Sequence, residues 1–390
     1  MEEKEVVIGM VGAGRATQLH MDAYKRVVGI KPIYKTIVTT SMEKAEKARA
    51  LYGYQKASDD FNEILNDPEI QVVDICTPPY VHRDMIIRSL RAEKHVICEK
   101  PLDGFFGAEG TLAGKEISKR MMYEKMLQSL EEIRSAIEAS SKKFMYAENF
   151  IYAPAIQKMA EIIEKKNSRI LCIKGEESLK GSSSHVAGLW NRTGGGTFIR
   201  TGTHPLSAAL WLKGIEAKAR NVSICPESVV ADVGYITNEL SEYEHRHIAA
   251  RPVDVEDFGT SVITFSDTTK AIIVATDTLL GGSKNYVEAY CNDAVLYSTL
   301  TLNNLMNSYF PDEERLEDVY ISEMLPQKTG WNNPFIVDEI IRGYTAEMQD
   351  FMESVAYGRE PISDFELAYQ TAKIVYASYL SAEEGRRVVL

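Results

Sequence analysis

Val6-Val7-Ile8-Gly9-Met10-Val11-Gly12-Ala13-Gly14-Arg15-Ala16-Thr17 is the stretch that decides the fold. An apolar run of strand length enters a glycine turn and then a helix-like segment through Ala23. Strand, glycine turn and helix in that order make a dinucleotide-binding arrangement. The first glycine forms the tight turn, the second lets the backbone approach a pyrophosphate, and the helix start offers free N–H groups and a favourable dipole. Gly12 and Gly14 fill these positions, with Arg15 and Ala16 following as cofactor contacts. Thr17 stands where a third glycine is usual, which argues for looser helix-on-strand packing and not against a cofactor.

Outward from this stretch, strand-like and helix-like segments alternate. Strands are expected at 6–11, 35–39, 72–76, 95–99 and 143–147, and helices from 16 and at 42–52, 82–91 and 119–140. Such alternation predicts a doubly wound parallel sheet, a Rossmann domain over residues 1–148. The pattern then becomes β-rich, with runs at 170–177, 217–224, 259–265, 271–276, 286–291 and 294–298 separated by polar turns such as Ser266-Asp267. These predict an α+β domain over 149–390 with a large open, mostly antiparallel sheet. Amphipathic helices at 345–357 and 364–384 finish the chain, the last free to pack back on the first domain.

The 390 residues suffice for two domains with substantial cores. No apolar run approaches the roughly 20 residues needed to cross a bilayer, and no basic start precedes a long apolar stretch. A soluble, cytoplasmic protein is expected. Cys76, Cys98, Cys172, Cys225 and Cys291 are scattered without a Cys-x-x-Cys pair, as expected of free thiols in a reducing compartment. A net charge of −12 without a long basic cluster argues against nucleic-acid or anionic-membrane partners. No metal site is expected, because the histidines are dispersed and His245-Arg246-His247 lacks supporting ligands.

Further motifs follow in order: Gly-x-Gly with His20, Thr77-Pro78 with His82, Glu99-Lys100-Pro101, Gly194-Gly195-Gly196 with Gly202-Thr203-His204, and a closing Ser381-Ala382-Glu383-Glu384-Gly385-Arg386. Taken together, they resemble the glucose–fructose oxidoreductase, inositol dehydrogenase and rhizopine-catabolism family over nearly the whole chain. The resemblance implies a Rossmann domain joined to an α/β domain that serves substrate binding and homo-oligomer contacts, as a dimer or tetramer. It also implies hydride transfer between a nicotinamide cofactor and a sugar, glycoside or cyclitol.

Oxidising a secondary alcohol needs an acceptor for the hydroxyl proton and a cation for developing alkoxide character. Lys100, at a strand's C-terminal end in the ligand-binding crevice of open α/β sheets, suits the cationic role. Glu99 then orients it or contacts the cofactor; the plainer alternative is a surface Glu-Lys pair before a turn. His204 is the candidate proton acceptor, since imidazole titrates near neutrality and the preceding glycines permit close backbone approach. A helix-start histidine before Pro205 is the structural alternative.

Three departures from the family pattern bear on function. Where most members carry Asp in Asp-x-Gly-x-His, this chain reads Arg200-Thr201-Gly202-Thr203-His204. A nearby guanidinium favours neutral imidazole, leaving Arg200 to bind a substrate oxygen or to pair with an acid away from substrate. At the second strand end, Thr39-Thr40-Ser41 carries neither the acid that marks NAD nor an arginine that marks NADP; NAD is favoured and NADP left open. Thr40-Ser41-Met42-Glu43 reads as a helix capping box. Finally, Asn149-Phe150-Ile151-Tyr152-Ala153-Pro154 lacks the arginine many relatives carry near Ile151, so Asn149 and Tyr152 are candidate substrate contacts, with domain-junction packing the alternative for Tyr152.

His185 is a further candidate substrate contact. Trp190 either stacks on a sugar ring or nicotinamide, or packs, and Thr39, Thr40, Thr77, Pro78, His82 and Lys100 are placed near the cofactor. The segment 103–119 is longer than the usual connection after the lysine motif and glycine-bearing, which suits a lid or a surface or oligomer-contact insertion. With Arg200, it resembles members that oxidise a glycoside to a 3-keto sugar. Three readings result: a net dehydrogenase, a glycosidase-like enzyme retaining NAD through transient oxidation, elimination and reduction, and a non-catalytic dinucleotide sensor, against which Lys100 and His204 together argue.

Overall fold

The computed structural model describes residues 4–108, 110–182, 184–280, 283–300, 306–319, 321, 327–332, 334 and 342–390, apart from the side chain of His185. The chain forms two compact units, neither continuous in sequence. The first comprises Met1–Gly104, Lys125–Asn149 and Tyr344–Tyr369, and the second Phe105–Glu124, Phe150–Gly343 and Gln370–Leu390.

In the first unit, β1 (Lys4–Val11), β2 (Ile30–Val38), β3 (Lys56–Ser58), β4 (Val72–Ile75), β5 (His95–Glu99) and β6 (Phe144–Ala147) form one sheet in the order β3-β2-β1-β4-β5-β6. Every pair is parallel, which bears out the doubly wound reading. Val6, Ile8, Met10, Val72, Val73, Ile75, Val96 and Ile97 are fully buried, and each such aliphatic contributes roughly 1.5–3 kcal/mol by leaving water. Strands covered on both faces read as near-continuous apolar runs, which is why they were legible.

Register fixes where the site lies in this unit. Val11 pairs with Val38 on one side and Ile75 on the other, and Ile75 pairs with Cys98. Gly12, Thr39, Cys76 and Glu99 therefore emerge at one edge of the sheet. The chain order reverses at β1, and such switch points hold ligands. The helix Tyr344–Tyr357 packs on the helix Arg15–Tyr24 and on β1 and β2. Tyr146 N–H donates to Ser363 O at 3.1 Å, and Phe144 meets Phe365 edge-on at 6.0 Å.

The second unit carries β7 (Ile170–Leu179), β8 (Pro226–Gly234), β9 (Phe258–Phe265), β10 (Lys270–Thr276), β11 (Ser283–Cys291), β12 (Val295–Thr299), β13 (Met306–Phe310), β14 (Gly330–Asn332) and β15 (Val388–Val389). Their order is β14-β13-β12-β11-β7-β10-β9-β8-β15. Only β7 and β10 pair in parallel, so this sheet is mostly antiparallel as expected.

The strand expected at 217–224 is a correction. The helix Thr203–Ala219 occupies the start of that stretch, and β8 begins only at Pro226. Lys213 and Glu216 are buried charges on this helix, with Lys213 Nζ 2.5 Å from Glu216 Oε2 and 3.1 Å from Asp267 Oδ2. Removing one partner of such a buried pair costs about 3–5 kcal/mol. All five cysteines are free, and no helix among the described residues is long and apolar enough to cross a membrane.

Candidate active site

A cleft of about 900 Å³ opens above the β1 and β4 ends of the first unit. Gly12, Gly14, Arg15, Ala16, Thr39, Thr40, Thr77 and Pro78 all line it, so eight sequence-derived cofactor residues share one cavity. Gly12 has φ +107°, and a Cβ there would lie 2.3 Å from Cys76 O; only glycine fits. Its N–H donates to Val38 O at 2.8 Å, which closes the turn. At Gly14 a Cβ would meet no protein atom within 4 Å. The backbone is bare toward the cleft at the start of the helix Arg15–Tyr24, where free N–H groups suit a pyrophosphate. Bare glycine backbone, a helix start and a dinucleotide-sized volume fit a nicotinamide dinucleotide.

Lys44, Lys47, Tyr52 and Asp59 line the same cleft and were missed from sequence. Lys44 Nζ donates to Thr40 Oγ1 at 3.3 Å. Its sequence signal is a lysine, not an arginine, in the first turn of the helix after β2. The capping-box reading is corrected. Ser41 is the N-cap and accepts from Lys44 N–H at 3.4 Å, while Glu43 reaches forward to Lys47 at 2.7 Å instead of back to the cap.

Glu99 ends β5 and Lys100 follows it at the same sheet edge. Lys100 N–H donates to Glu99 Oε2 at 2.8 Å, and the Lys100–Pro101 peptide is cis. His82 does not line the cleft. Its buried ring is clamped among carbonyl oxygens, with Nε2 2.9 Å from Thr77 O and Nδ1 3.0 Å from Pro101 O. Burial pushes its pKa down against these backbone contacts. His82 thus ties the Thr77-Pro78 turn to the loop carrying Lys100.

His20, Asp74 and Cys76 bring metal-ligating atoms within 4.8 Å of one another. The atoms already serve one another: His20 Nδ1 is 2.9 Å from Asp74 Oδ2, Tyr24 O–H donates to the same oxygen at 2.8 Å, and Cys76 Sγ is 3.4 Å from Nδ1. Burial alone would lower the His20 pKa, but Asp74 and Cys76 carry it well above the usual imidazole value. A charged ion pair accounts for the cluster.

In the second unit, His204 lies in the first turn of the helix Thr203–Ala219. Gly202 precedes it where a Cβ would be 2.6 Å from Phe198 O. The imidazole is 5% exposed and stacks on Phe150 at 4.6 Å and 16°, with Nε2 4.0 Å from Glu177 Oε2 on β7. Arg200 forms an ion pair with Asp277. This is the paired alternative for Arg200. Asp277 compensates the guanidinium, and Glu177 supplies a carboxylate to His204 from another element. Sequence spacing could not find Glu177, since it is distant in the chain from His204.

Trp190 is 1% exposed, with its indole N–H donating to Phe105 O at 2.9 Å and its backbone N–H to Asp254 Oδ1 at 2.7 Å. These contacts favour the packing role. Asn149 and Tyr152 are buried in the 3-10 turn Asn149–Tyr152, and His185 opens the turn His185–Gly188, with its side chain outside the described part of the structure. From Phe105 onward, the segment expected as a lid or as a surface or oligomer-contact insertion belongs to the second unit. Tyr376 O–H receives Phe105 N–H at 2.6 Å, Gly114 N–H donates to Asp254 Oδ2 at 3.1 Å, and Lys119 Nζ donates to Gly114 O at 2.6 Å. Gly114 is required there, because a Cβ would lie 1.7 Å from Asp254 O.

Residues 6–105 match the oxidoreductase family NAD-binding Rossmann fold, and residues 292–390 match the same family's C-terminal alpha/beta domain. Levoglucosan dehydrogenase of Pseudarthrobacter phenanthrenivorans is 25% identical over 389 residues, which cover 94% of this chain and 93% of that protein. Myo-inositol 2-dehydrogenase of Thermotoga maritima is 30% identical over 95 residues, 24% of this chain and 28% of that one. A solved levoglucosan dehydrogenase complex with NADH and L-sorbose shares the fold at TM-score 0.77 and 21% identity, over 99% of both chains. The matched patterns at both ends, with a cleft shaped for the dinucleotide between β1 and β4, place the chain in the GFO/IDH/MocA family of NAD(P)-dependent oxidoreductases.

Proposed function

We propose that the enzyme oxidises a secondary hydroxyl of a sugar, glycoside or cyclitol to the ketone, with His204 as proton acceptor and Lys100 as the stabilising cation. The observation that carries this reading is His204, stacked on Phe150 with Glu177 at 4.0 Å. A carboxylate there compensates the charge the imidazole gains as it takes the hydroxyl proton. Lys100 stabilises alkoxide character while the C–H bond breaks, and the bound nicotinamide supplies the hydride acceptor. Levoglucosan and myo-inositol, in the names of the two relatives, support a polyhydroxylated substrate, and the 3-hydroxyl of a glycoside is the first position to test. The Asp277 ion pair favours the paired role for Arg200.

We also take the enzyme to be a homo-oligomer built through the second sheet. In support, Trp331 is 60% exposed and lies 5.4 Å from Tyr297 and 5.5 Å from Tyr309. Light scattering gives the subunit count.

The test begins with mass spectrometry of nucleotide released on denaturation. Incubation with NAD and a panel of sugars, glycosides and cyclitols follows. Substrate-dependent NADH accumulation that is lost in Lys100→Ala and His204→Ala supports the dehydrogenase. Full occupancy by NAD with glycoside cleavage and no NADH accumulation would replace it with a retained-cofactor cycle.

A further inference from the structure

We propose that His20 is a positioning residue for Lys100, acting through a buried Asp74–His20–Glu99 chain. The links run through three elements of the first unit. Asp74 on β4 holds Nδ1 of His20 at 2.9 and 3.0 Å, Nε2 of His20 lies 3.3 Å from Glu99 Oε1 at the end of β5, and Glu99 Oε2 accepts the Lys100 backbone N–H at 2.8 Å. The His20–Glu99 contact has ion-pair distance without hydrogen-bond geometry, so its strength is mainly coulombic.

Burial makes this chain consequential. His20 and Asp74 are fully buried and Glu99 is 7% exposed. A desolvated carboxylate stays ionised only with a charge partner or strong donors. Glu347, on the helix Tyr344–Tyr357, is fully buried and is pushed well up by burial, with Glu99, Glu148 and Asp74 adding and His20 opposing. Burial thus disfavours its anion, and the carboxylates nearest the His20 ring are Asp74 and Glu99. Cys76 and Tyr24 face the same cluster and are held in their neutral forms, Cys76 at about 12 and Tyr24 well above the usual phenol. Tyr54, also buried beside it, is neutral for the same reason. An ionised Glu99 gripping the Lys100 N–H fixes the backbone from which the ammonium projects, and small misplacements of a catalytic group cost roughly 100-fold in rate.

This inference rests on the role assigned to Lys100, and the experiments separate the two. NMR of the wild-type enzyme labelled at histidine Cε1 reads His20 directly; imidazolium at neutral pH is expected, and a neutral ring would overturn the proposal. His20→Gln keeps hydrogen-bonding capacity but no charge. Its kcat is expected to fall roughly 10- to 100-fold, with NADH affinity within about threefold of wild type. Losing the cation destabilises an ionised Glu99, so the acid limb of the kcat profile, which deprotonation of His204 also shapes, moves to higher pH. Asp74→Asn, which withdraws the anion holding His20 charged, moves it the same way. A lower kcat with an unmoved limb would make His20 merely structural and sink the proposal, as would an unchanged kcat in His20→Gln beside an inactive Lys100→Ala. Full activity in Lys100→Ala would refute the role of Lys100 itself.

Discussion

Glu177 Oε2 stands 4.0 Å from His204 Nε2, brought there from β7 to the first turn of the helix Thr203–Ala219. Four residues before the histidine stands Arg200, which Asp277 compensates. Opposite charges at this separation near a protein surface attract by up to about 4 kcal/mol before desolvation is counted. Glu177→Gln keeps the shape and removes the negative charge beside the His204 ring. The variant is expected to lose roughly 10- to 100-fold in kcat, with NADH affinity unchanged. Steady-state kinetics at saturating nucleotide decide it, and a wild-type kcat would remove Glu177 from the chemistry.

Gly12 and Gly14 fail in different ways when given a side chain. At Gly12 the backbone is left-handed and the added Cβ meets Cys76 O at 2.3 Å. Gly12→Ala therefore strains the protein itself, by about 1–3 kcal/mol, and lowers Tm. At Gly14 the added methyl enters open space, so Gly14→Ala keeps its Tm and weakens NADH binding where the pyrophosphate approaches the backbone. Calorimetry and nucleotide fluorescence titration separate the outcomes; equal loss of Tm in both variants would contradict the distinction.

The first sheet was legible because its strands are buried on both faces and their apolar runs stand out between glycine and proline turns. β2 was read short at its start, where Lys31, Pro32 and Tyr34 interrupt the apolar pattern. β8 was misplaced for a physical reason. Its burial alternates poorly and it opens on Pro226, while the preceding helix carries Lys213 and Glu216 in a buried ion-pair network that composition alone reads as solvent-facing. Glycine positions, Lys100 and His204 announce themselves by local motif. Glu177 and the Asp74–His20–Glu99 chain depend on which strands and helices the topology brings together, and no spacing rule encodes that.

Lys44 bears on the choice between NAD and NADP. Thr39-Thr40-Ser41 at the end of β2 offers no carboxylate to an unmodified ribose, Glu43 beyond it pairs with Lys47, and Lys44 lines the cleft beside Thr40. A charge-assisted bond to a 2′-phosphate is worth about 1.5–3 kcal/mol. Lys44→Glu is expected to weaken NADPH binding roughly 10- to 100-fold and to leave NADH within about threefold. Fluorescence titration with both nucleotides checks this, and an unaltered NADPH to NADH affinity ratio would clear Lys44 of cofactor discrimination.

Glu256 links the glycine-rich segment before His204 to pH. Its buried carboxylate accepts Gly196 N–H at 2.7 Å, Phe198 N–H at 3.0 Å and Tyr379 O–H at 2.8 Å, yet burial raises its pKa to about 7 against these donors. Between the ordinary glutamate value of 4.5 and about 7, the folded protein holds a proton that the unfolded chain has released. Stability therefore falls as pH rises through that window and levels off above it, with a slope no steeper than roughly 1.4 kcal/mol per pH unit from this group. Glu256→Gln has no proton to lose, so its contribution to the slope disappears. The amide also sets an N–H against a backbone or phenol donor, which lowers stability by about 1–3 kcal/mol above the window. Denaturant unfolding from about pH 5 to pH 8 measures both effects. A variant that keeps the wild-type slope would assign the pH dependence to other groups and return Glu256 to the ionised state across the range.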